Sequence, residues 1–435
     1  MSPELIGVLG IIVLLVLFFL EFSIGLSLFI VGFVGVALLS DWSVGLSQLG
    51  TMPFSTSNNY GLSVIPLFVL MGLLMSNTGL GKDLFIAVDK WMGNLRGGLA
   101  MATIGASSIF AAISGSTTAT TATLSKIAIP EMDQYNYKRS LSTASVAAGG
   151  TLGILIPPSV ILILYGTLTA EPIGALLIAG IVPGVLMAIV FMLTIYIQVL
   201  LKPDLAPRRL EVYPFKEKIG SLKRIWPFLV VFFMSIGGIY FGVFTPSEAG
   251  GIGAFGAFIV SLLMKRLSFK QLMESCHETL MITVMIFLIL IGAGLFNKFL
   301  ALSQIPMNLA NTVKSLDVSP IVILSLILLV YLILGMFMDG LAILVLTLPI
   351  VYPMIIDLGY SGIWFGVIIV MIINIGFLTP PLGVSVYIIS GVIKDMPIEK
   401  IFKGVLPMVL TMIVFTIILC IFPEVVTFLP DMIKD

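Results

Sequence analysis

The sequence GILIPP at residues 153–158 returns as GFLTPP at residues 376–381, at an offset of 223 positions. Each copy lies in a long apolar segment and ends in two consecutive prolines, which remove two backbone N–H donors and break a helix. In hydrocarbon every backbone polar group needs a partner, so a broken helix is tolerated only where it lines a protein-enclosed cavity. The two segments therefore predict two discontinuous helices that border an internal cavity.

The composition is typical of a membrane protein. The chain has 435 residues, 59% hydrophobic and 10% charged, whereas about 25% of the residues of a soluble domain are charged. Apolar runs suited to crossings lie near 5–20, 22–39, 61–78, 173–201, 226–245, 248–264, 279–296 and 404–422. Such long runs argue against the short alternating strands of a β-barrel. We therefore predict an all-α polytopic protein in contact with membrane lipid.

The basic residues predict the orientation of the chain. They form five groups, at residues 82–96, 138–139, 202–224, 265–270 and 394–403. All five groups face the cytoplasm if both termini lie outside, as the positive-inside rule requires. This path makes 98–130 enter from the cytoplasm and return there, while 320–353 enters from outside and returns outside. Two re-entrant hairpins of opposite sense are thus predicted, with 40–60, which lacks basic residues, as an external loop.

The match at an offset of 223 extends into the hairpins. Pro130 pairs with Pro353 at the end of each hairpin, and the turn at 114–117 falls opposite 338–341. We interpret this as an inverted repeat, which is typical of secondary transporters, with chance matches in a biased composition as the alternative. Four regions are predicted. N-terminal scaffold helices at 1–60 precede a first repeat at 61–201, which contains hairpin 98–130 and broken helix 141–168. A basic cytoplasmic linker with central scaffold helices at 202–278 then leads to a second repeat at 279–435, which contains hairpin 320–353 and broken helix 362–393.

Polar groups of the membrane region concentrate at the hairpin turns and the Pro-Pro breaks. Carbonyls freed at a break are hard oxygen ligands suited to sodium, and the turns bring hydroxyl and backbone groups to the same depth. Two candidate sets follow: Ser114, Gly115, Ser116 and Thr117 with Gly153, Pro157 and Pro158, and Asp339 and Gly340 with Gly376, Thr379, Pro380 and Pro381. The alternative is that the prolines only kink packed helices and the hydroxyls bond to their own helix.

Individual polar residues add to these sets. Asp339 is the acidic residue predicted at a hairpin tip inside the membrane, where a carboxylate indicates a functional site. It would bind a cation, gate the cavity or accept a substrate hydrogen bond, or else cap the helix that follows it. Ser159 is a candidate for substrate contact. Asn374 would donate to a cavity oxygen or bridge neighbouring helices.

Several other function classes are disfavoured. The only histidine, His277, lies far from any serine motif, and Asp339 has no second embedded aspartate, so a protease dyad is missing. One histidine and two cysteines do not supply a transition-metal site, no Walker-type loop is present, and no basic patch indicates nucleic acid. A secondary transporter is favoured. A passive channel stays open, and flux that saturates and needs a sodium gradient would exclude it.

Five motifs together carry a family resemblance. They are AAISGSTTAT at 111–120, GILIPPS at 153–159, GMFMDG at 335–340, LTPPLG at 378–383 and FTPSEA at 244–249. With them the chain resembles, over essentially its whole length, the large membrane subunit of tripartite ATP-independent periplasmic (TRAP) transporters of the dicarboxylate or sialic acid type. The resemblance implies sodium-coupled symport of a small carboxylate, such as a C4-dicarboxylate or a sialic acid. In a bacterial inner membrane, the orientation predicted from the basic residues would make both termini periplasmic.

The resemblance also implies partners and site roles. A periplasmic substrate-binding protein and a separate small membrane subunit of four helices would act with this chain, without an organic cofactor. An elevator mechanism would move the hairpins and broken helices against scaffold helices near 22–39, 173–201 and 226–264. Ser116, Ser159 and Asp339 would lie near the substrate, with two Na+ ions at the paired Gly/Pro backbones. A sodium/carboxylate symporter that binds its substrate directly is the alternative.

Overall fold

The computed structural model describes residues 2–208, 213–315 and 318–433, and within these ranges the chain is helical and contains no strand. Residues 209–212, in the predicted basic linker, lie outside the described residues. Eight helical segments of the described chain are long and apolar enough to cross a membrane: Tyr60–Asn77, Ile173–Leu201, Phe215–Tyr240, Pro246–Leu263, Phe269–Ser303, Pro320–Phe337, Gly340–Asp357 and Ile398–Ile421. The prediction of an all-α membrane protein is confirmed.

The N-terminal region contains more helix than the sequence predicted. Its helices are α1 (Pro3–Phe19), α2 (Ile24–Leu39), α3 (Trp42–Ser57), α4 (Val64–Asn77) and α5 (Leu80–Met92). The prediction of a loop at 40–60 is wrong, because α3 occupies most of it. The carboxylate of Asp41 caps this helix by accepting a hydrogen bond from the Ser43 amide at 3.0 Å. The lack of basic residues was compatible with an external helix as well as with a loop.

The next region contains the first predicted hairpin and broken helix. Its helices are α6 (Gly98–Ser114), α7 (Thr117–Gln134), α8 (Arg139–Thr151), α9 (Val160–Thr169), α10 (Ile173–Ala179) and α11 (Ile181–Leu201). Helices α6 and α7 form a hairpin that runs four residues beyond Pro130, because that proline is accommodated inside α7. Between α8 and α9 the chain passes through a 3-10 turn and a cis Pro157–Pro158 bond. The predicted break is therefore present.

The central region joins the two Pro-Pro segments. Its helices are α12 (Phe215–Phe232), α13 (Gly238–Tyr240), α14 (Pro246–Leu263), α15 (Phe269–Ser303) and α16 (Ile305–Ser315). A capping box of Thr245 and Glu248 begins α14. The 35 residues of α15 correspond to about 52 Å at about 1.5 Å per residue, so α15 extends well beyond the crossing predicted at 279–296. Along one face it packs closely on α2, where a Cβ on Gly32 would lie 2.5 Å from the Phe296 amide nitrogen.

The C-terminal region repeats the order of elements seen at 98–201. Its helices are α17 (Pro320–Phe337), α18 (Gly340–Asp357), α19 (Gly362–Gly376), α20 (Val384–Val392), α21 (Ile398–Ile421) and α22 (Glu424–Ile433). A second cis bond, Pro380–Pro381, lies between α19 and α20. The starts of α6, α7, α8, α9 and α10 precede those of α17, α18, α19, α20 and α21 by 222 to 225 residues. Pro353 again lies inside its helix rather than at the end of the hairpin.

The two hairpins and the two broken helices pack together. Every residue of α19 is buried, as is every residue of α8 from Leu141 onward, so the helices before the breaks form the centre of the molecule. Hairpin arm α18 packs on α9 and hairpin arm α7 packs on α20. The second arm of each hairpin thus contacts the half-helix that follows the Pro-Pro break of the other set.

Candidate functional site

The first hairpin turns at two residues with different backbone conformations. Gly115 has φ 58°, a left-handed conformation that glycine adopts without strain, and its amide donates to Ala111 at 3.0 Å to end α6. Ser116 is extended and caps α7, because its Oγ accepts a hydrogen bond from the Ala119 amide at 3.3 Å. Ser114 Oγ lies 2.8 Å from Thr120 Oγ1 and so adds a hydroxyl pair beside the turn.

This turn lies directly on the first Pro-Pro break. A Cβ on Gly153 would lie 2.5 Å from the Ser116 carbonyl oxygen and 2.8 Å from the Thr117 amide nitrogen. A Cβ on Gly115 would collide with the Pro158 carbonyl oxygen. The backbones of turn and break are therefore in contact, and the structure brings Gly115, Ser116 and Thr117 of the first set together with Gly153 and Pro158.

Ser159 bridges the first break. Its side chain is 0% exposed, its Oγ donates to the Ile154 carbonyl oxygen at 2.5 Å, and the same oxygen accepts from the Leu162 amide at 3.2 Å. Its hydroxyl proton is thus used within the break, and its oxygen caps α9. This geometry favours a structural role, and contact with substrate stays a prediction.

The second hairpin turns at Met338 and Asp339. The Asp339 carboxylate caps α18 by accepting from the Leu341 amide at 2.9 Å, so the capping interpretation of this residue is confirmed. The side chain is nevertheless exposed, whereas the adjacent Gly340 is buried against Ile161 of α9. The carboxylate therefore also faces open space next to the contact between the two halves.

The second break is joined to its hairpin by backbone contacts. The Leu382 amide donates to the Met336 carbonyl oxygen at 3.2 Å, and a Cβ on Gly376 would lie 2.6 Å from the Gly335 carbonyl oxygen. Thr379 donates from Oγ1 to the Ile375 carbonyl oxygen at 2.6 Å. As in the first set, the hairpin contacts its break through backbone atoms, here at the end of α17.

The two breaks differ in exposure. Residues 151–159 are all buried, whereas Pro380, Pro381 and Leu382 are exposed. A cavity of about 360 Å³ opens beside the second break and is lined on its other side by Glu399, Phe402 and Lys403 of α21, among other residues. The second break is thus accessible from the face that carries the basic group 394–403.

Some buried side-chain oxygens near the two breaks have no hydrogen-bond partner in the described residues. In the described part of the chain they include Thr117 Oγ1 at the first turn, Asn374 Oδ1 before the second break and Ser385 Oγ after it. Burying such an atom without a partner is unfavourable, and hard oxygens of this kind are the ligands that Na+ takes. The chemistry of these oxygens is therefore compatible with that of sodium ligands. Ser385 was missed from the sequence, although a hydroxyl residue just after the second Pro-Pro was a usable signal.

The fold defines the class of protein, an all-helical protein with several segments suited to crossing a membrane. A solved structure, the YdaH transporter of Alcanivorax borkumensis, aligns with a TM-score of 0.64 at 14% identity and covers 98% of both chains. At this identity the likeness concerns the fold alone. Residues 11–425 match the family of the tripartite ATP-independent periplasmic transporter, DctM component. The chain belongs to this family, and the resemblance found in the sequence is confirmed.

Curated relatives agree with the family. The C4-dicarboxylate TRAP transporter large permease protein DctM of Pseudomonas aeruginosa is 35% identical over 94% of each chain. The sialic acid TRAP transporter large permease protein SiaM of Vibrio cholerae is 31% identical over 96% of each. The sialic acid TRAP transporter permease protein SiaT of Haemophilus influenzae is 30% identical over 98% of this chain but only 68% of its own length. These relatives are named transporter permeases, which fits a protein that is not an enzyme.

Proposed function

We propose that this chain is the large permease subunit of a sodium-coupled symporter that imports a small carboxylate. The observation that carries the proposal is the backbone contact of a hairpin with a Pro-Pro break, formed twice, each near buried oxygens that have no hydrogen-bond partner in the described chain. Broken helices at membrane depth are typical of ion and substrate sites in secondary transporters. The names of the relatives support a C4-dicarboxylate or a sialic acid as the substrate.

Two Na+ ions would bind, one at each turn and break. At the first, Thr117 Oγ1 and carbonyl oxygens of the contacting backbone are the proposed ligands, within the set Ser114, Gly115, Gly153, Pro157 and Pro158. At the second, Asn374 Oδ1 and Ser385 Oγ join the backbone of Gly340, Gly376, Thr379, Pro380 and Pro381. Positive charge at these positions would offset the repulsion between the Asp339 carboxylate and a carboxylate substrate.

The substrate would bind between the two halves, close to the contact of Gly340 with α9. Asp339 is the proposed acceptor for a substrate hydroxyl, because its carboxylate is exposed and uses one oxygen for the cap. Ser116 lies at the equivalent turn of the first hairpin, and its hydroxyl proton is available to a carboxylate. Ser159 is the weaker candidate of the three, since its hydroxyl is engaged within the break.

The repeated order of helices supports an inverted repeat and an elevator mechanism. In this proposal the hairpins 98–130 and 320–353 are re-entrant from opposite sides, and they move with the buried broken helices as one transport domain. Helix α2 and helix α15, which pack through glycine contacts, belong to the scaffold. The chain would lie in a bacterial inner membrane with both termini periplasmic, since this path places all five basic groups in the cytoplasm.

The proposed partners are a periplasmic binding protein and a small four-helix membrane subunit. A requirement for these partners would distinguish this proposal from the alternative, a symporter that binds its substrate directly.

The test is uptake into proteoliposomes that hold the chain and its small subunit, with binding protein and labelled succinate or sialic acid outside, with and without an inward sodium gradient. Uptake that needs both sodium and the binding protein supports the tripartite symporter. Uptake that needs sodium alone supports the direct-binding symporter, and non-saturating uptake that needs neither would indicate a channel.

A further inference from the structure

A strongly basic cavity lies outside the two hairpin turns, since none of their residues lines it. It has a volume of about 630 Å³ and is formed where the start of α8, the end of α11 and the start of α21 meet. Five cationic side chains line it: Lys138, Arg139, Lys202, Lys400 and Lys403. No acidic residue is among its lining residues in the described chain. The nearby Glu399 lines the neighbouring cavity at the second break instead.

Most of this charge is not neutralised by the protein. Arg139 pairs with Asp133 at 3.3 Å, but within the described ranges the four lysines have no carboxylate within 4.0 Å. Ammonium groups that surround one cavity repel each other unless an anion lies between them. The arrangement is therefore complementary to a ligand with concentrated negative charge.

Two helix starts add to this preference for an anion. Helix α8 begins at Arg139 and α21 at Ile398, and neither of the preceding residues, Lys138 and Pro397, supplies a side-chain cap. The first amide N–H groups of a helix and its dipole favour a bound anion such as a phosphate. The start of α8, whose Arg139 and Ser140 line the cavity, thus favours the same ligand chemistry as the lysines.

The apolar part of the lining distinguishes an amphiphile from a free anion. Leu141, Leu205 and Met396 line the cavity together with the lysines. Leu201, also in the lining, is 75% exposed, and Leu406, one turn further along α21, is 57% exposed. Both belong to segments that are long and apolar enough to cross a membrane, so exposed apolar surface borders the basic cavity. A ligand with a charged headgroup and acyl chains would use both parts of the lining.

The position of the cavity along the helices agrees with a headgroup. The crossing segment Ile173–Leu201 ends here and Ile398–Ile421 begins here, so the cavity lies at a membrane boundary. By the distribution of basic residues this is the cytoplasmic side. Basic pockets between membrane helices on that side are suited to anionic lipid headgroups.

We propose that this cavity binds the phosphodiester headgroup of an anionic phospholipid from the cytoplasmic leaflet, with Lys138, Lys202, Lys400 and Lys403 as its cationic ligands. Lys403 also lines the cavity beside the second Pro-Pro break, next to Thr379 and Pro380. A bound headgroup would therefore stabilise the start of α21 against that break. The lipid site does not depend on the identity of the transported substrate.

The test uses the full chain purified with its small subunit in a neutral detergent, with cardiolipin, phosphatidylethanolamine or inorganic phosphate added. Binding is measured by native mass spectrometry and by the shift in unfolding temperature. The test variant combines Lys138→Gln, Lys400→Gln and Lys403→Gln. The control variant removes the same charge from three exposed lysines outside the cavity, Lys82→Gln, Lys216→Gln and Lys223→Gln.

We expect cardiolipin to bind the unmodified protein and the control variant alike, and the test variant at least tenfold more weakly. A triple Lys→Arg variant at the three cavity positions should keep binding, which separates lost charge from misfolding. An equal loss of cardiolipin binding in the test and control variants would mean that the lipid is attracted by the overall positive charge of the protein. That result would contradict a specific site in the cavity. If inorganic phosphate displaces cardiolipin at equal concentration, the cavity binds a soluble anion, and the proposal of a phospholipid ligand is wrong.

Discussion

Gly153 is held against Ser116 so closely that a Cβ on the glycine would lie 2.5 Å from the serine carbonyl oxygen. This contact joins the first hairpin turn to the first Pro-Pro break. The second pair is similar, because a Cβ on Gly376 would lie 2.6 Å from the Gly335 carbonyl oxygen. Two hairpins that differ in sequence are thus attached to their breaks by the same means, a backbone contact that only glycine allows.

The first prediction concerns this contact. Gly153→Ala should force the turn away from the break, abolish sodium-driven uptake and destabilise the fold by about 1–3 kcal/mol, as overpacking does. The matched control is Gly391→Ala, because nothing lies within 4 Å of a Cβ there. Uptake and unfolding temperature are measured on both variants. If Gly153→Ala transports like the unmodified protein, the contact is unimportant to the site.

The second prediction separates the two roles of Asp339. Asparagine caps a helix about as well as aspartate does, so Asp339→Asn keeps the bond to the Leu341 amide but loses the charge. We expect Asp339→Asn and Asp339→Ala both to lose sodium-driven uptake. Only Asp339→Ala should also lose about 1 kcal/mol of stability. Normal uptake by the asparagine variant would leave Asp339 with the capping role alone.

The sequence predicts most accurately what depends on local chain chemistry. Consecutive prolines cannot donate backbone hydrogen bonds, so the breaks near Pro157 and Pro380 follow from the residues alone. Hairpin ends are less predictable, because Pro130 and Pro353 lie inside their helices. Helix α3 was missed for a different reason: the absence of basic residues indicates the side of the membrane on which a segment lies, not its secondary structure.

Contacts between distant segments could not be predicted from the sequence. The packing of α18 on α9 and of α7 on α20 depends on the three-dimensional arrangement of helices more than 100 residues apart. The same holds for Ser159. Its position directly after Pro158 made it a candidate for substrate contact, but the backbone path through the break determines that its hydroxyl donates to the Ile154 carbonyl oxygen. Spacing thus indicates which residues share a region, and only packing determines which polar atoms stay free.

The third prediction tests Thr117 as a sodium ligand. Its Oγ1 is buried and has no hydrogen-bond partner among the residues that the structure describes, so Thr117→Val should leave stability unchanged or raise it if the residue only packs. If the oxygen binds Na+, the variant should need at least about tenfold more sodium for half-maximal uptake, corresponding to about 1.4 kcal/mol of lost binding energy. The control is Thr103→Val, whose hydroxyl donates to the Leu99 carbonyl oxygen at 2.8 Å. An unchanged sodium dependence in Thr117→Val would remove this residue from the proposed site.

The last prediction concerns a link between the two halves. Tyr352 of α18 donates from its hydroxyl to Glu171 Oε1 at 2.6 Å, and its ring packs edge-on against Tyr165 with centroids 6.2 Å apart. Tyr352→Phe keeps the ring and removes the hydrogen bond to a charged group, which should lower stability by about 1.5–3 kcal/mol. Thermal unfolding of this variant is compared with Tyr60→Phe, where the ring is exposed. An equal unfolding temperature in both variants would mean that Glu171 and Tyr352 do not hold the halves together. A lower unfolding temperature in Tyr352→Phe together with faster uptake would mean that this hydrogen bond restrains the second hairpin during transport.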